Sequence, residues 1–388
     1  MTNPHKLGKP AAKLYGLDHL RALAIIFVFL FHYGRIFPHP QWVNTICKFG
    51  WTGVDLFFVL SGYLIASQLF EKIGQVKQVS LQEFFVKRFF RIIPAYLVVV
   101  IIYFSFPYIR ERGDTAPLWK FLTFTQNFGL DLRTQGTFSH AWSLCIEEQF
   151  YLFLPLILAA LVYFKLLKRA WLLPAILFVA GFFIRSYSYQ TFVAPTINTE
   201  NFSVEWIKWS YYPTYCRLDG LLAGVSIAAL FQFKPTIKQQ AFKHGNKFLL
   251  LSLGILTTAY FVCLDERSFM ASVFGFPLVS IGYGAMLVGA ISPSSFLFRF
   301  RSKTVSTIAV LSYAIYLVHK FVIFFTQTQV SKLGIAKDSN MMFAICIVAI
   351  IVVAWIMNKT IEQPFMKLRQ KLLKPKKTAA SLAPVLTQ

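Results

Sequence analysis

The sequence has few charged side chains and very few acidic ones. Only 14% of its 388 residues are Asp, Glu, Lys or Arg, and 16 of them are acidic. A soluble domain covers its core with a polar shell, and this chain has too little polar surface for one, since 56% of its residues are hydrophobic. The composition therefore excludes an ordinary soluble domain and predicts a membrane protein.

Several short enzyme motifs are also missing. The sequence contains no P-loop, no G-x-G-x-x-G, no G-x-S-x-G and no H-E-x-x-H. Its five cysteines are scattered, without a C-x-x-C pair or metal-ligand spacing, and we interpret them as small buried residues. These absences argue against nucleotide hydrolysis, dinucleotide redox chemistry and a serine-hydrolase site, and we expect no metal.

Apolar runs fill most of the chain. A helix needs ~20 apolar residues to cross ~30 Å of hydrocarbon, and ten such runs are centred near residues 28, 60, 99, 153, 179, 222, 255, 281, 317 and 350. Most connections are short, so the sequence predicts one all-α, polytopic membrane domain of about ten transmembrane helices. We expect it at 14–360, between a basic N-tail at 1–13 and a basic, partly disordered C-tail at 361–388.

The net charge of +23 comes from basic residues that alternate between successive connections. Of the 39 Lys and Arg residues, 25 fall on one side of the predicted membrane and 12 on the other, while Arg21 and Arg217 lie within spans. The positive-inside rule makes the richer side cytoplasmic, so both termini are predicted to be cytoplasmic. Nucleic-acid binding is then a weak second explanation of the charge, and no nucleic-acid partner is expected.

Ionisable residues within the apolar runs are candidates for function, because charge in hydrocarbon is costly. Arg21 and His32 lie eleven residues apart, about three helical turns, so they share one face ~16 Å apart along the axis. The predicted topology puts Arg21 at the cytoplasmic mouth and His32 in the outer half. Such a pair suits a long ligand that has an anionic head and a reactive end.

Two further arginines mark the start of the third span. Arg88 and Arg91 are three residues apart and therefore share a helix face. Paired planar donors bind phosphates well, but basic residues at this depth also serve as ordinary cytoplasmic flanks. Both explanations stay open at this stage.

The fourth span carries the most polar face. His140, Ser143, Glu147 and Tyr151 share it, whereas Glu148 points about 100° away. Two adjacent carboxylates are hard to explain by packing. We interpret Glu148 as a hydrated residue at the interface, and Glu147 as the functional candidate, which we expect to face an outward cavity.

Polar residues recur in the later spans. Ser312, Tyr316 and His319 form a stripe on the ninth, although a lone buried histidine is more often a packing residue. Arg217 and Asp219 in the sixth suggest a structural ion pair. Counted by depth, several candidates fall around the middle or outer half of the bilayer, so we expect them to face one cavity. These are His32, Asp55, Glu147, Arg217 and His319.

At these positions the chain resembles the acyltransferase-3 family of integral membrane O-acyltransferases, over nearly its whole length. Five ordered blocks carry the resemblance. They are R-x10-H from Arg21 to His32, a second-helix block at 53–62, R-x-x-R with a following proline at 88–94, S-L-x-x-E-x-x-F-Y at 143–151, and S-Y-x-x-Y-L-x-H at 312–319. Five blocks in order are far more specific than any single motif.

The resemblance implies an acyl-CoA donor, usually acetyl-CoA, and an acceptor hydroxyl on a cell-envelope glycan or a small molecule. It places the chain in the cell (inner) membrane as a multi-pass protein, among membrane lipid, with a glycan acceptor on the extracytoplasmic side. His32 would take a proton from the attacking hydroxyl. The expected roles are catalytic for His32, Glu147, His319 and Tyr316, donor-binding for Arg21, Arg88 and Arg91, and substrate-binding for Asp55, Ser143, Tyr151 and Arg217.

Some members of this family carry an extracytoplasmic SGNH-type domain, and this sequence ends about thirty residues after its last predicted span. Either the membrane domain completes the transfer, or a separate extracytoplasmic transferase does. Two other classes stay open. A transporter or flippase for an acylated or glycan-linked lipid would also use ten spans and buried charges. A lipid acyltransferase of the soluble-site type usually carries H-x4-D, and no histidine in this sequence has an aspartate five residues on.

Overall fold

The computed structural model describes residues 14–76, 80–166 and 172–373. These residues form helices, with two isolated β-bridges and no strand among them. The predicted N-tail at 1–13 and the last part of the predicted C-tail, at 374–388, lie outside the described residues. The domain boundaries at 13/14 and 360/361 stay predictions.

Ten long helices follow the ten apolar runs, and each predicted centre falls inside one of them. Within the described residues, eight helices are long and apolar enough to cross a membrane, or nine if one bent pair is a single span. The polytopic helical membrane protein is therefore confirmed, whereas the count of ten and the side of the termini stay predictions. The helices are α1 (Tyr15–Ile36), α2 (Gly53–Val76), α3 (Leu81–Ser105), α4 (Trp142–Tyr163), α5 (Leu172–Ser188), α6 (Asp219–Phe233), α7 (Gly245–Val262), α8 (Phe276–Ile291), α9 (Lys303–Val330) and α10 (Asn340–Met357).

Two of these helices lead directly into a further helix. Helix α6 is followed by the short helix Pro235–Lys243, which leaves at an angle of 109°. Helix α10 continues through the π-helical turn Asn358–Glu362 into α11 (Gln363–Leu372), so the segment assigned to the C-tail begins as a helix. The other short helices are Val43–Ile46, Leu118–Leu122, Phe202–Trp206 and Phe296–Arg299.

Serine caps determine where three of the helices begin. The Ser80 hydroxyl accepts a hydrogen bond of 3.4 Å from the backbone N–H of Glu83 at the start of α3. Ser302 and Ser339 cap α9 and α10 in the same way, at 3.3 and 3.1 Å. Each cap satisfies a backbone donor that the first helical turn leaves without an intrahelical acceptor. The cap on α3 thereby fixes the start of the helix that carries the paired arginines.

Glycines let α2 and α6 pack closely. A Cβ atom on Gly62 would lie 2.1 Å from the carbonyl oxygen of Leu221, and one on Gly224 would lie 2.2 Å from that of Val59. No larger residue fits without moving a backbone, and small residues at such contacts are typical of membrane helices.

Helices α1 and α9 lie side by side and run parallel. At one end the Ser306 hydroxyl donates a 2.9 Å hydrogen bond to the Asp18 carboxylate. Further along both helices, the rings of His32 and His319 meet. The contacts advance in the same direction on each helix, as the predicted topology requires of a first and a ninth span.

Labelling of single cysteines tests the predicted topology. Gln239 is exposed in the short helix after α6, Leu333 is 78% exposed beyond α9, and the native cysteines are buried. An impermeant maleimide should label Leu333→Cys on intact cells, but Gln239→Cys only after permeabilisation. The opposite pattern would place both termini outside the cytoplasm.

Candidate active site

A cavity of about 520 Å³ opens at the end of the bundle where α1 and α3 begin. Its volume lies within the range of small-molecule sites. Four arginines from three distant stretches of the chain line it, and we call it the arginine cavity. They are Arg21 on α1, Arg88 and Arg91 on α3, and Arg369 on α11.

The arginine cavity is strongly cationic. None of its four arginines has an ion-pair partner within 4 Å among the described residues. Glu147 is the one carboxylate among the described residues that line it. A neighbouring cavity of about 460 Å³ shares Arg21 and Arg91 and is also lined by Asp18. Four convergent guanidinium groups beside a single lining carboxylate suit an anionic ligand with several phosphate oxygens.

The inner end of the arginine cavity is polar and formed largely by α4. Ser143, Glu147 and Tyr151 all line it, as the phase of the helix predicts. The Glu147 carboxylate accepts hydrogen bonds from Ser61 at 3.0 Å and from Tyr151 at 3.1 Å. The expectation that Glu147 faces an outward cavity is wrong, because α4 enters the bundle far enough to bring this residue into the arginine cavity.

Glu148 differs from the sequence interpretation. One of its carboxylate oxygens, Oε1, is buried and has no hydrogen-bond partner among the described residues. A hydrated position at the interface is therefore wrong for this oxygen. Glu148 points away from the face of α4 that carries Glu147, as predicted, but its Oε1 atom lies against protein rather than water.

Three histidines form a cluster beyond the inner end of the arginine cavity. The ring centroids of His319 lie 4.9 Å from those of His32 and 4.8 Å from those of His140. His32 Nδ1 and His319 Nε2 are 2.9 Å apart, while His319 Nδ1 lies 2.8 Å from the Tyr316 carbonyl oxygen. No group of three or more His, Cys, Asp or Glu side chains among the described residues could hold a metal.

A second cavity, of about 180 Å³, lies at the other end of α1 and is lined by His32. Six large aromatic rings line it, and we call it the aromatic cavity. Trp142 and Tyr212 stack there at 5.0 Å, and burial raises the pKa of Tyr212 to about 12, so its hydroxyl stays neutral. Its other large rings are Phe31, Trp51, Trp206 and Tyr211.

Glu147 lines the arginine cavity and His32 the aromatic cavity, so the prediction that the candidates face one cavity is wrong. Arg21 lines the arginine cavity and His32 the aromatic cavity, because three turns of α1 carry the chain from one to the other. Between them lies a layer that we call the wall, formed by the hydrogen-bonded hydroxyls of Ser143 and Tyr316, 2.7 Å apart, together with His140 and His319. The Tyr316 hydroxyl also donates to the backbone carbonyl of His140.

Two buried ion pairs replace the predicted one. Arg217 Nη2 lies 2.9 Å from both carboxylate oxygens of Asp55, and Arg185 Nη1 lies 2.7 Å from Asp219. The interpretation that Arg217 pairs with Asp219 is wrong, since the close packing of α2 and α6 supplies a nearer carboxylate. Neither Asp55 nor Arg217 is among the residues that line the two cavities.

Sequence reasoning missed several residues around these cavities. Arg369 lies far along the chain in a segment assigned to a tail, so no helical spacing connects it to Arg88. Lys320 and Glu111 form a fully buried ion pair of 2.8 Å beside the histidine cluster. The run of aromatics at 206–212 was the available signal for the aromatic cavity.

Comparisons with known proteins give a consistent family assignment. The acyltransferase-3 family model, described as an acyltransferase domain, matches residues 14–359. A protein of Staphylococcus aureus strain COL, provisionally named an O-acetyltransferase, is 30% identical over 331 residues, which are 81% of this chain and 51% of the relative. The O-acetyltransferase OatA of strain NCTC 8325 is 28% identical over 334 residues, with the same coverage. The chain thus spans about half the length of these relatives, and no solved structure matches it.

Proposed function

The chain belongs to the acyltransferase-3 family, and from that premise we propose that it is a membrane O-acyltransferase. In the proposed reaction it moves an acyl group, most simply acetyl, from cytoplasmic acyl-CoA to a hydroxyl of a cell-envelope glycan or lipopolysaccharide sugar. The cell inner membrane is the proposed location. The observation that carries the proposal is the pair of cavities, one basic and one aromatic, that meet at a wall of hydroxyls and imidazoles.

The arginine cavity supports the donor side of the proposal. Acyl-coenzyme A carries several phosphate oxygens at one end and the thioester at the other. Its phosphate end therefore requires cations, and the long arm that carries the thioester requires a deep cavity. Arg21, Arg88, Arg91 and Arg369 supply the cations. The cavity continues inward to Ser143 and Tyr316, where the thioester would arrive.

The aromatic cavity supports the acceptor side. Flat indole and phenol rings pack against the apolar faces of sugar rings, and His32 lies in the same cavity. A neutral imidazole accepts a proton well near neutral pH, so His32 is placed to activate an acceptor hydroxyl there.

The chemical step takes place at the wall. The hydroxyl oxygen of the acceptor attacks the thioester carbonyl, its proton passes to His32, and the carbon–sulfur bond breaks to release coenzyme A, whose thiolate finally receives that proton from His32. The Tyr316 hydroxyl can donate to the developing oxyanion once its hydrogen leaves the carbonyl oxygen of His140. Its hydrogen bond with Ser143 must open for the thioester to meet the acceptor.

A transporter or flippase for an acylated or glycan-linked lipid is the alternative. Two cavities that open on opposite sides of a closed wall are also what alternating access requires. The match of residues 14–359 to a family model described as an acyltransferase domain favours the enzyme.

Purified protein incubated with acetyl-CoA labelled in its acetyl group separates these functions. The enzyme releases coenzyme A and passes the label to water or to an added glycan fragment. Protein that binds acetyl-CoA without turning it over, yet moves glycan lipid between the leaflets of a vesicle, would establish the transporter.

Substitution of the cavity arginines should weaken donor binding. We expect Arg88→Ala, Arg91→Ala and Arg369→Ala each to raise the dissociation constant of coenzyme A by ~10-fold or more, because each removes a charged hydrogen bond worth ~1.5–3 kcal/mol. Calorimetry with coenzyme A in detergent measures this. The matched control is Lys367→Ala, since Lys367 is exposed on the same helix as Arg369 and lines neither cavity. Unchanged affinity in all three arginine variants would reduce these residues to cytoplasmic flanks.

A further inference from the structure

The hydrogen bonds of His319 determine which nitrogen of His32 is free to accept a proton. His319 Nδ1 lies 2.8 Å from the carbonyl oxygen of Tyr316 and 3.1 Å from that of Ile315. A carbonyl oxygen can only accept, so Nδ1 of His319 carries a hydrogen. Its Nε2, which faces His32 at 2.9 Å, is then an acceptor whenever the ring is neutral.

The surroundings of His319 keep its ring neutral. The side chain is completely buried, and the next residue is Lys320, whose ammonium group is buried too. Glu111 is already paired with Lys320 at 2.8 Å, and Glu266 of the aromatic cavity with Arg35 at 2.8 Å. A second positive charge on His319 would therefore stand in the interior next to a cation without a counter-charge of its own, which is costly.

From these contacts we infer that His319 is a positioning residue, which holds His32 as the tautomer with hydrogen on Nδ1 and the lone pair on Nε2. His32 Nδ1 donates to His319 Nε2, and Nε2 of His32 is left without a hydrogen bond among the described residues. Since His32 lines the aromatic cavity, the basic nitrogen serves that cavity. The inference rests on the proposed function and assigns His319 a part in it other than that of a second base.

This arrangement matters at the moment of proton transfer. When Nε2 of His32 takes the proton of the acceptor hydroxyl, the ring becomes an imidazolium, and its Nδ1–H still has the lone pair of His319 to donate to. The other tautomer of His32 would direct a hydrogen, and no lone pair, at the aromatic cavity. His319 thus acts on the reaction through His32 and need not touch either substrate.

Two substitutions at one position test the role. His319→Leu fills the space and removes the acceptor, so we expect kcat to fall ~10- to 100-fold, the usual effect of losing the partner that orients a ring nitrogen, with the acceptor KM unchanged. His319→Gln can place an amide oxygen near the former Nε2 and should recover most of that loss. Wild-type turnover in His319→Leu would overturn the inference, and so would equal losses in both variants or a loss confined to KM.

Nitrogen-15 NMR of histidine-labelled wild-type protein supplies a readout that does not depend on turnover. The signals of His32 are assigned by their absence from His32→Gln. The inference expects a protonated Nδ1 and an unprotonated Nε2 for His32 in the wild type, and a mixture of tautomers in His319→Leu. Protonated Nε2 in the wild type would overturn it even if the protein is an active acyltransferase, whereas an inactive protein with the expected spectrum would count against the proposed function alone.

Discussion

Replacement of His32 by alanine is expected to lower acyl transfer by ~10²-fold or more, the scale of a lost general base. The side chain lines the aromatic cavity and one of its nitrogens is already engaged by His319. Without it, no other described imidazole reaches that cavity, since His140 and His319 are buried in the wall. The assay is transfer of labelled acetyl to an added acceptor, with kcat and KM measured separately.

The His32→Ala protein should keep its fold and its affinity for coenzyme A, because the arginine cavity lies at the other end of α1. His244→Ala is a suitable control, since His244 is exposed and distant from both cavities. Near-normal turnover in His32→Ala would remove His32 as the base.

Loss of Arg217 alone should destabilise the protein by ~3–5 kcal/mol, the range for breaking one half of a buried ion pair. The Arg217 and Asp55 side chains are 0% and 3% exposed, so Arg217→Met would leave a carboxylate in the interior without its partner. The guanidinium carbon also lies 4.0 Å from the centroid of the Phe276 ring and 4.7 Å from that of Tyr211, contacts that methionine cannot replace as a cation. Thermal unfolding in detergent, followed by size-exclusion chromatography, measures the loss.

The double variant Asp55→Leu with Arg217→Met removes both charges and should be more stable than either single variant, which is the signature of direct coupling. Arg133→Met provides the matched control, because its ion pair with Asp131 is 50% and 32% exposed and should contribute ~1 kcal/mol or less. If Arg217→Met keeps full stability and loses only acceptor use, the substrate-binding role expected from the sequence is the better description.

Much of the local geometry could be predicted from helical periodicity. A period of 3.6 residues places Ser143, Glu147 and Tyr151 on one face of α4, and all three line the arginine cavity. The same rule sets Arg88 and Arg91 side by side. Spacing within one helix is a local property, fixed by backbone hydrogen bonds, and so it survives whatever the helix packs against.

Partners across helices could not be obtained in that way. The pairing of Asp55 with Arg217 joins residues 162 apart and depends on how closely the glycines let α2 and α6 approach. For α1, helical periodicity predicts that Arg21 and His32 share a face. It does not predict that this face adjoins two different cavities. Helical periodicity shows which side chains lie on one face, and only the packing of neighbouring helices shows which groups those side chains contact.

The wall also has an electrical consequence. The arginine cavity and the aromatic cavity bring polar surroundings inward from opposite ends of α1, so the membrane voltage falls mainly across the thin layer that contains Ser143, Tyr316 and the buried histidines, rather than across ~30 Å of hydrocarbon. Each elementary charge that crossed this layer would change the free energy by about 2.3 kcal/mol per 100 mV. In the proposed reaction the acyl group crosses it in one direction, and the proton that His32 takes from the acceptor hydroxyl crosses in the other to the thiolate of coenzyme A, while the phosphates of the carrier stay with the arginines. Exchange of an acyl group for a proton leaves no net charge on either side of the layer, so the proposed transfer is electrically silent.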